Sequence, residues 1–182
     1  MVFRHFRRPV LPPAERSLQR AQRLIRVGRF GQAAALLAGL ANQLETAGRP
    51  KAAAELHARA AHCYVESGMV SAALAEASSA LSSFKEAGLT GRFTRFEANI
   101  SRKMQAHGMQ AGADALRAQY GLGREAQIEV QPDSQVASPG RRLILAAACP
   151  RCGAPLRSDE VEWIDERSAE CAYCGAVIEA QG

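Results

Sequence analysis

Four of the five cysteines in this 182-residue chain lie near its carboxyl end, in two matching pairs. Cys149 and Cys152 form the first pair, and Cys171 and Cys174 form the second after 18 intervening residues. Two residues between paired cysteines let both sulfurs reach one ion, and this separation between the pairs is typical of four-thiolate zinc sites. The spacing therefore predicts one structural Zn²⁺ bound by all four sulfurs, with no ligand position left open for catalysis.

A glycine follows the second cysteine of each pair, at Gly153 and Gly175, and Pro150 presets a turn in the first pair. Glycine reaches the left-handed backbone conformation that turns amide N–H groups toward the sulfurs. With the sequences CPRCG and CAYCG, the segment resembles a zinc ribbon of the rubredoxin-knuckle type over about residues 143–180. The resemblance implies a small β-rich unit built around the metal.

Alternating apolar and polar residues predict short strands at Val161–Asp165 and Ala176–Glu179, preceded by another at Arg142–Ala147. Few apolar residues follow Cys149, so we expect the metal to supply much of the free energy that orders this segment. Trp163, on one of the strands, is expected to cover the metal centre.

Other uses of the cysteines are less consistent with the sequence. Two disulfides require an oxidising compartment, whereas residues 1–13 lack the apolar run of an export signal, so we expect a cytoplasmic protein. A thioredoxin-type redox motif is a single cysteine pair at the start of a helix in a βαβ unit, whereas this chain carries two pairs. Iron in the same thiolate cage is a chemically acceptable alternative to zinc.

Glycine recurs every 20 residues through the first two thirds of the chain, at Gly28, Gly48, Gly68, Gly88 and Gly108. The segments between these glycines are rich in alanine, leucine, glutamate, glutamine and arginine, which are strong helix formers. Glycine is also the common residue just past a helix end. The spacing therefore predicts consecutive helices of 15 to 18 residues, each closed by a glycine.

Apolar residues in these segments recur at intervals of three and four, as on the buried side of an amphipathic helix. Ala73, Ala77 and Leu81, for example, share one side of the fourth helix. Cys63 lies on such a stripe and is interpreted as a small core residue rather than a nucleophile. Loops of one to three residues require neighbouring helices to pack antiparallel.

Taken in pairs, the helices form a 40-residue unit whose turns align without gaps: Gly28-x-Phe30-x-x-Ala33, Gly68-x-Val70-x-x-Ala73 and Gly108-x-Gln110-x-x-Ala113. The pattern resembles the tetratricopeptide repeat over about residues 14–121. The predicted fold class is therefore mainly α, an antiparallel α-hairpin stack (a TPR-like solenoid) plus a small β-rich zinc ribbon. A closed helical bundle without a groove is the alternative.

The resemblance implies that the first helix of each pair lines a groove that binds another protein. The positions carried over to that groove are Gln22, Arg26, His62, Glu66, Arg95 and Arg102. This assignment makes the helical part the partner-binding scaffold.

The chain is thus divided into a basic arm (residues 1–13), a helical repeat domain (14–121), a linker (122–142) and the ribbon (143–182). Whether the ribbon docks on the helices or moves separately is left open. Residues 1–30 hold eight arginines against one glutamate, a net charge of +7, and Arg4, Arg7 and Arg8 are candidates for contact with nucleic acid or acidic lipid. Residues 149–182 hold three arginines against seven acids, a net charge of −4, which suits nucleic-acid binding poorly.

No catalytic constellation is apparent in the sequence. His57 and His62 stand five residues apart and do not share a helix face, and no phosphate-binding glycine loop or nucleophile elbow occurs. We therefore expect a non-catalytic, zinc-binding adaptor for protein–protein interaction. The alternative is a factor associated with nucleic acid, the ribosome or a membrane surface through its basic amino terminus.

Overall fold

The computed structural model describes residues 13–121, 144–158, 161–165, 167–173 and 176–181. Four features singled out in the sequence lie outside these residues: Arg4, Arg7 and Arg8 of the arm, the linker at 122–142, Cys174 and Gly175.

Within residues 13–120, six α-helices follow one another. They are α1 (Pro13–Arg26), α2 (Phe30–Thr46), α3 (Pro50–Glu66), α4 (Val70–Glu86), α5 (Thr90–Ala106) and α6 (Gln110–Tyr120). Connections of three residues join consecutive helices, so neighbours run antiparallel. The protein is mainly helical, as predicted, although α1, with 14 residues, is shorter than the predicted 15 to 18.

The five evenly spaced glycines end α1 to α5, as predicted, and each has a positive φ between 67° and 74°. Each glycine N–H bonds the carbonyl three residues back, and the next N–H bonds the carbonyl five residues back. At the end of α3 these bonds run from Gly68 to Val65 (3.1 Å) and from Met69 to Tyr64 (3.0 Å). The pattern satisfies carbonyls that a helix end leaves without partners. The same glycine turn therefore ends each of the helices α1 to α5.

Alanines and larger apolar side chains form two buried clusters that both include α3. The first joins α1, α2 and α3 to the cysteine-rich segment, and the second joins α3 to α4, α5 and α6. Most of the predicted apolar stripes are buried, and Ile100 and Leu116 are fully enclosed, whereas Val70 is 41% exposed. Helix α3 also contacts α5, and α4 contacts α6. The helices therefore form a continuous array.

A three-stranded antiparallel sheet lies in the cysteine-rich segment, in the order β1 (Glu162–Trp163), β2 (Ser168–Glu170) and β3 (Val177–Glu179). Strands β1 and β3 are shortened forms of two predicted strands. Of the third predicted strand, Arg142–Ala147, the described part makes an isolated bridge between Ile144 and Gln181.

Strand β2 was not predicted because its residues carry little apolar signal. Ala169 is its one buried residue, and it pairs with Trp163 on one side and Ile178 on the other. The carboxylate of Asp165 accepts hydrogen bonds from the backbone N–H groups of Arg167 and Ser168, both at 2.8 Å. This polar turn sets the start of β2.

Candidate metal centre

Three cysteine side chains meet at one buried point of the carboxyl-terminal segment. The sulfurs of Cys149, Cys152 and Cys171 all lie within 4.8 Å of one another, and none of these residues is more than 2% exposed. Cys152 Sγ and Cys171 Sγ are 3.8 Å apart. An ion bound tetrahedrally at about 2.3 Å from each sulfur separates two sulfurs by about 3.8 Å, whereas a disulfide needs about 2.05 Å. These cysteines are therefore arranged to hold a metal ion.

The backbone beside the first cysteine pair forms a tight turn. Gly153 N donates a 2.7 Å hydrogen bond to Cys149 O, and Gly153 has the positive φ, 74°, predicted for it. Beside the second pair, Cys171 N donates to Ala176 O at 2.9 Å. Cys174 lies between these two positions in sequence but outside the described residues. Three of the four predicted ligands are therefore seen together.

The cysteine-rich segment docks on the helices, which answers the question that the sequence left open. Arg26 Nη2 of α1 donates a 3.0 Å hydrogen bond to Arg151 O, within the first cysteine turn. A Cβ atom at Gly153 would lie 2.7 Å from Arg26 Cγ. The turn can therefore approach α1 closely because Gly153 has no side chain.

Tyr173 joins the same segment to α3 and α5. Its side chain is buried, and its hydroxyl donates to Glu66 Oε1 (2.5 Å) and accepts from Lys103 Nζ (2.6 Å). Lys103 Nζ also lies 2.7 Å from Glu66 Oε1 and 4.9 Å from the centroid of the Tyr173 ring. Lys103 is only 3% exposed, so its charge is stabilised by these neighbours.

The electrostatic balance at Glu66 favours its carboxylate. Burial by itself would raise the pKa of Glu66, but hydrogen bonds from Lys103 and Tyr173 and the charges of Lys103 and His107 lower it below its usual value. His107 Nε2 lies 3.8 Å from Glu66 Oε1. Lys103 and Glu66 therefore form an ion pair, and the Tyr173 hydroxyl hydrogen-bonds to both side chains.

Aromatic rings enclose Tyr173 on the helix side. Its ring centroid lies 6.2 Å from that of Phe30 and 6.0 Å from that of His62, and His62 in turn meets the edge of Phe96 at 5.7 Å. Burial, and then the charge of Lys103, lowers the pKa of His62 to about 3. His62 is therefore a neutral side chain that packs against the rings of Tyr173 and Phe96.

A second polar contact joins β2 to the helices. Arg92 of α5 forms ion pairs with Glu55 of α3 and with Glu170, 3.7 Å away, of β2. The adjoining cavity has a volume of about 50 Å³, whereas small-molecule sites typically measure about 300–1,000 Å³. This contact region is therefore an interface within one chain. It is called here the seam, and it consists of the contacts between the helices and the cysteine-rich segment made by Glu55, Glu66, Arg92, Lys103, Glu170 and Tyr173.

The residues predicted to line a partner groove fall into two groups. Arg26, His62 and Glu66 contact the cysteine-rich segment, as described above. Gln22 is half-buried, and Arg95 and Arg102 lie exposed on α5, where Arg102 Nη1 is 3.5 Å from Asn99 Oδ1. Part of the surface expected to receive a partner is therefore covered by the chain's own carboxyl-terminal segment.

Two residues of this seam, Lys103 and Tyr173, were missed in the sequence. Lys103 follows Phe96 and Ile100 at helical spacing, so a lysine on an apolar stripe was the available signal. Trp163 was expected to cover the metal centre, but it is 39% exposed and its indole N–H bonds Ser158 O at 3.1 Å. The aromatic residue buried in this segment is Tyr173 instead, whose side chain contacts α2, α3 and α5.

Cys63 is fully buried in α3, as expected of a core residue. Burial is the main cause that raises the pKa of its thiol to about 12, and the nearby charge of Cys152 acts in the same direction. Its thiol is therefore protonated at neutral pH and unsuited to nucleophilic attack.

We found no match to this chain among protein-family models, curated proteins or solved structures. Within the described parts of the chain, none of the helices has the length and apolar character needed to cross a bilayer.

Proposed function

We propose that the protein is a non-catalytic adaptor in which one structural Zn²⁺, bound by Cys149, Cys152, Cys171 and Cys174, fixes the carboxyl-terminal segment on a partner-binding helical array. The observation that carries the proposal is the buried cluster of three sulfurs, two of them at the separation of a tetrahedral site. The sequence supplies the fourth thiolate at matching spacing.

Zinc suits this donor set best. Thiolate sulfurs favour zinc or iron among the common metals, and closed four-sulfur sites are the usual form of structural zinc. When bound, the ion holds the two cysteine turns together. Four protein ligands leave no position for substrate or water, so the proposed role is in folding rather than catalysis.

The adaptor role is supported by the shape of the helical part. Hairpins with identical turns stack so that α3 packs on both α4 and α5, as neighbouring helices do in tetratricopeptide-type arrays, which the sequence resembles. Such arrays expose extended surfaces for other proteins. Arg95 and Arg102 are exposed on α5.

The metal is tested by elemental analysis of the purified, reduced chain and by zinc X-ray absorption. We expect one zinc per chain, with four sulfur neighbours at about 2.3 Å. Cys149→Ala should lose the zinc, whereas the matched control Cys63→Ala, which removes a buried cysteine outside the cluster, should keep it. Absence of bound metal in the wild-type chain would reject the site.

The adaptor role is tested separately by affinity capture from cells that express the chain. We expect a specific partner that is captured by the wild-type protein and lost with Arg102→Glu. Lys85→Glu, on the exposed end of α4, should capture it normally. Equal capture by Arg102→Glu would contradict a role for this face.

A further inference from the structure

We propose that the pocket holding Tyr173 is a binding site for a segment of a partner protein that carries an acidic residue three positions before a tyrosine, and that the chain's own residues 167–173 fill it in cis. The proposal rests on the adaptor function and gives the chemistry of the partner. The pocket, called here the tyrosine site, is formed by Phe30, His62, Glu66 and Lys103.

The tyrosine site is complementary to a phenol in particular. A phenol combines an apolar ring with a hydroxyl that can both donate and accept a hydrogen bond. Glu66 accepts from the hydroxyl and Lys103 donates to it, while the rings of Phe30 and His62 flank the ring. Phenylalanine would leave a buried ion pair without its third partner, and the indole of tryptophan can only donate.

The surroundings of the site favour an acidic residue close to the tyrosine. Arg92 pairs with Glu170, three residues before Tyr173, and Lys103 donates to the Tyr173 hydroxyl. Two helix cations thus face acceptors of the tail, and Glu170 is the acidic residue of the segment 167–173. The contacts define a two-point pattern, an acidic residue three positions before a tyrosine.

All groups that form the site belong to the helices. Lys103 is held in α5, whose core with α3, α4 and α6 does not include the cysteine-rich segment, whereas Phe30 packs on the cluster that α1, α2 and α3 share with that segment. A segment of the same chain has an advantage over a separate partner because it is covalently attached. Metal binding strengthens that advantage by fixing residues 149–171, so loss of the metal should open the site.

The test uses a fluorescein-labelled heptapeptide with the sequence of residues 167–173, with serine in place of Cys171, and measures anisotropy with the full chain. We expect the Tyr173→Ala chain, chelated under reducing conditions so that its own residues 167–172 leave the site, to bind the peptide at least tenfold more tightly than the zinc-loaded wild type. Adding Lys103→Met to Tyr173→Ala should weaken binding at least tenfold. Adding the matched control Lys85→Met instead should leave binding unchanged.

The peptide controls test the chemistry of the occupant. A heptapeptide with alanine in place of the tyrosine should not bind, and one with glutamine in place of Glu170 should bind several-fold more weakly. Equal binding of the tyrosine and alanine peptides would overturn the proposal, as would equal binding by the Lys103→Met and Lys85→Met chains.

A second route avoids any substitution at Tyr173. Chelation of the wild-type chain under reducing conditions should raise its affinity for the heptapeptide, with circular dichroism confirming that the helices persist. No binding by either the Tyr173→Ala or the chelated chain would reject the tyrosine site. Zinc content measured before chelation keeps the two proposals apart, because a chain that held zinc but fails to bind the peptide once the metal is removed rejects the tyrosine site alone.

Discussion

The helical array and the cysteine-rich segment reach their ordered states by different means. Helices α2 to α5 each have 17 residues, end in the same glycine turn and pack on their neighbours in sequence. The strands of the cysteine-rich segment have only two or three residues, too few to be stable alone. Order in the array is therefore local and repeated, whereas order in the segment depends on sulfur ligands and on contact with helices far away in sequence.

The difference implies two kinds of response to perturbation. A change in the array should alter stability by a small amount set by its immediate neighbours. A change at the metal or at the seam should affect the whole cysteine-rich segment together.

Metal removal should have the largest effect and should separate the two regions. Structural zinc contributes on the order of 10 kcal/mol in small domains, so chelation should expose the segment to trypsin at Arg151, Arg157 and Arg167. The circular dichroism signal of the helices should be largely retained. Loss of the helical signal in the same transition, or cleavage that does not respond to chelator, would show that the two regions do not depend on the metal in different ways.

Cys63 serves as an internal control in the same experiment. After chelation, iodoacetamide at pH 8 should modify the four cysteines of the segment. Before chelation Cys63 should stay unmodified, since burial raises its pKa to about 12, and after chelation it should still react more slowly than the four cysteines because it lies in the core formed with α2. Mass spectrometry of the peptides reports both outcomes, and rapid modification of Cys63 would show that the array opens with the segment.

Lys103→Met should have the next largest effect because it leaves the Glu66 carboxylate buried without its cation. Breaking a buried ion pair costs roughly 3 kcal/mol, which denaturant unfolding can measure. Lys85→Met, at an exposed position of α4, should change stability by less than about 0.5 kcal/mol. Similar values for the two variants would mean that the seam contributes no more than an ordinary surface contact.

Gly68 in the array and Gly153 in the cysteine-rich segment have the same φ, 74°, but different surroundings. Gly68→Ala should cost roughly 1–2 kcal/mol from backbone strain alone, because no atom lies within 4 Å of the added Cβ. Gly153→Ala should cost more, since its Cβ would meet Arg26 Cγ. Arg26→Ala should recover part of this excess in a double-mutant cycle, and purely additive losses would contradict the close approach.

The smallest expected effect is a pH dependence at His62. The folded state holds this imidazole neutral, with a pKa of about 3, whereas the unfolded chain takes up the proton near pH 6.5. Stability should therefore be complete above pH 6.5 and fall as the pH drops below it, by roughly 1 kcal/mol by pH 5.5. Unfolding of His62→Leu should lack this component, and identical pH profiles would contradict the buried, neutral assignment.

The sequence predicted the array well because its signals are local. Each glycine lies within a few residues of the carbonyls that its turn satisfies, and each apolar stripe lies within one helix. The cysteine pairs were also recognisable, since a metal site depends on residue type and short spacing.

The seam could not be predicted because its partners are far apart in sequence. Tyr173 is 107 residues from Glu66 and 70 residues from Lys103, and no periodicity links them. Strand β2 was not predicted for another reason: pairing with β1 and β3, rather than the residue types within it, makes it a strand. Trp163 was misplaced because residue type alone does not tell how far a side chain on a short edge strand is covered by the rest of the protein.

Hydrogen–deuterium exchange of the zinc-loaded and chelated chain follows both regions in one experiment. Chelation should remove protection from residues 144–158 and 167–173 together while amides in α3 and α4 remain protected. Uniform loss of protection across both regions, or a cysteine-rich segment that stays protected without metal, would contradict this expectation.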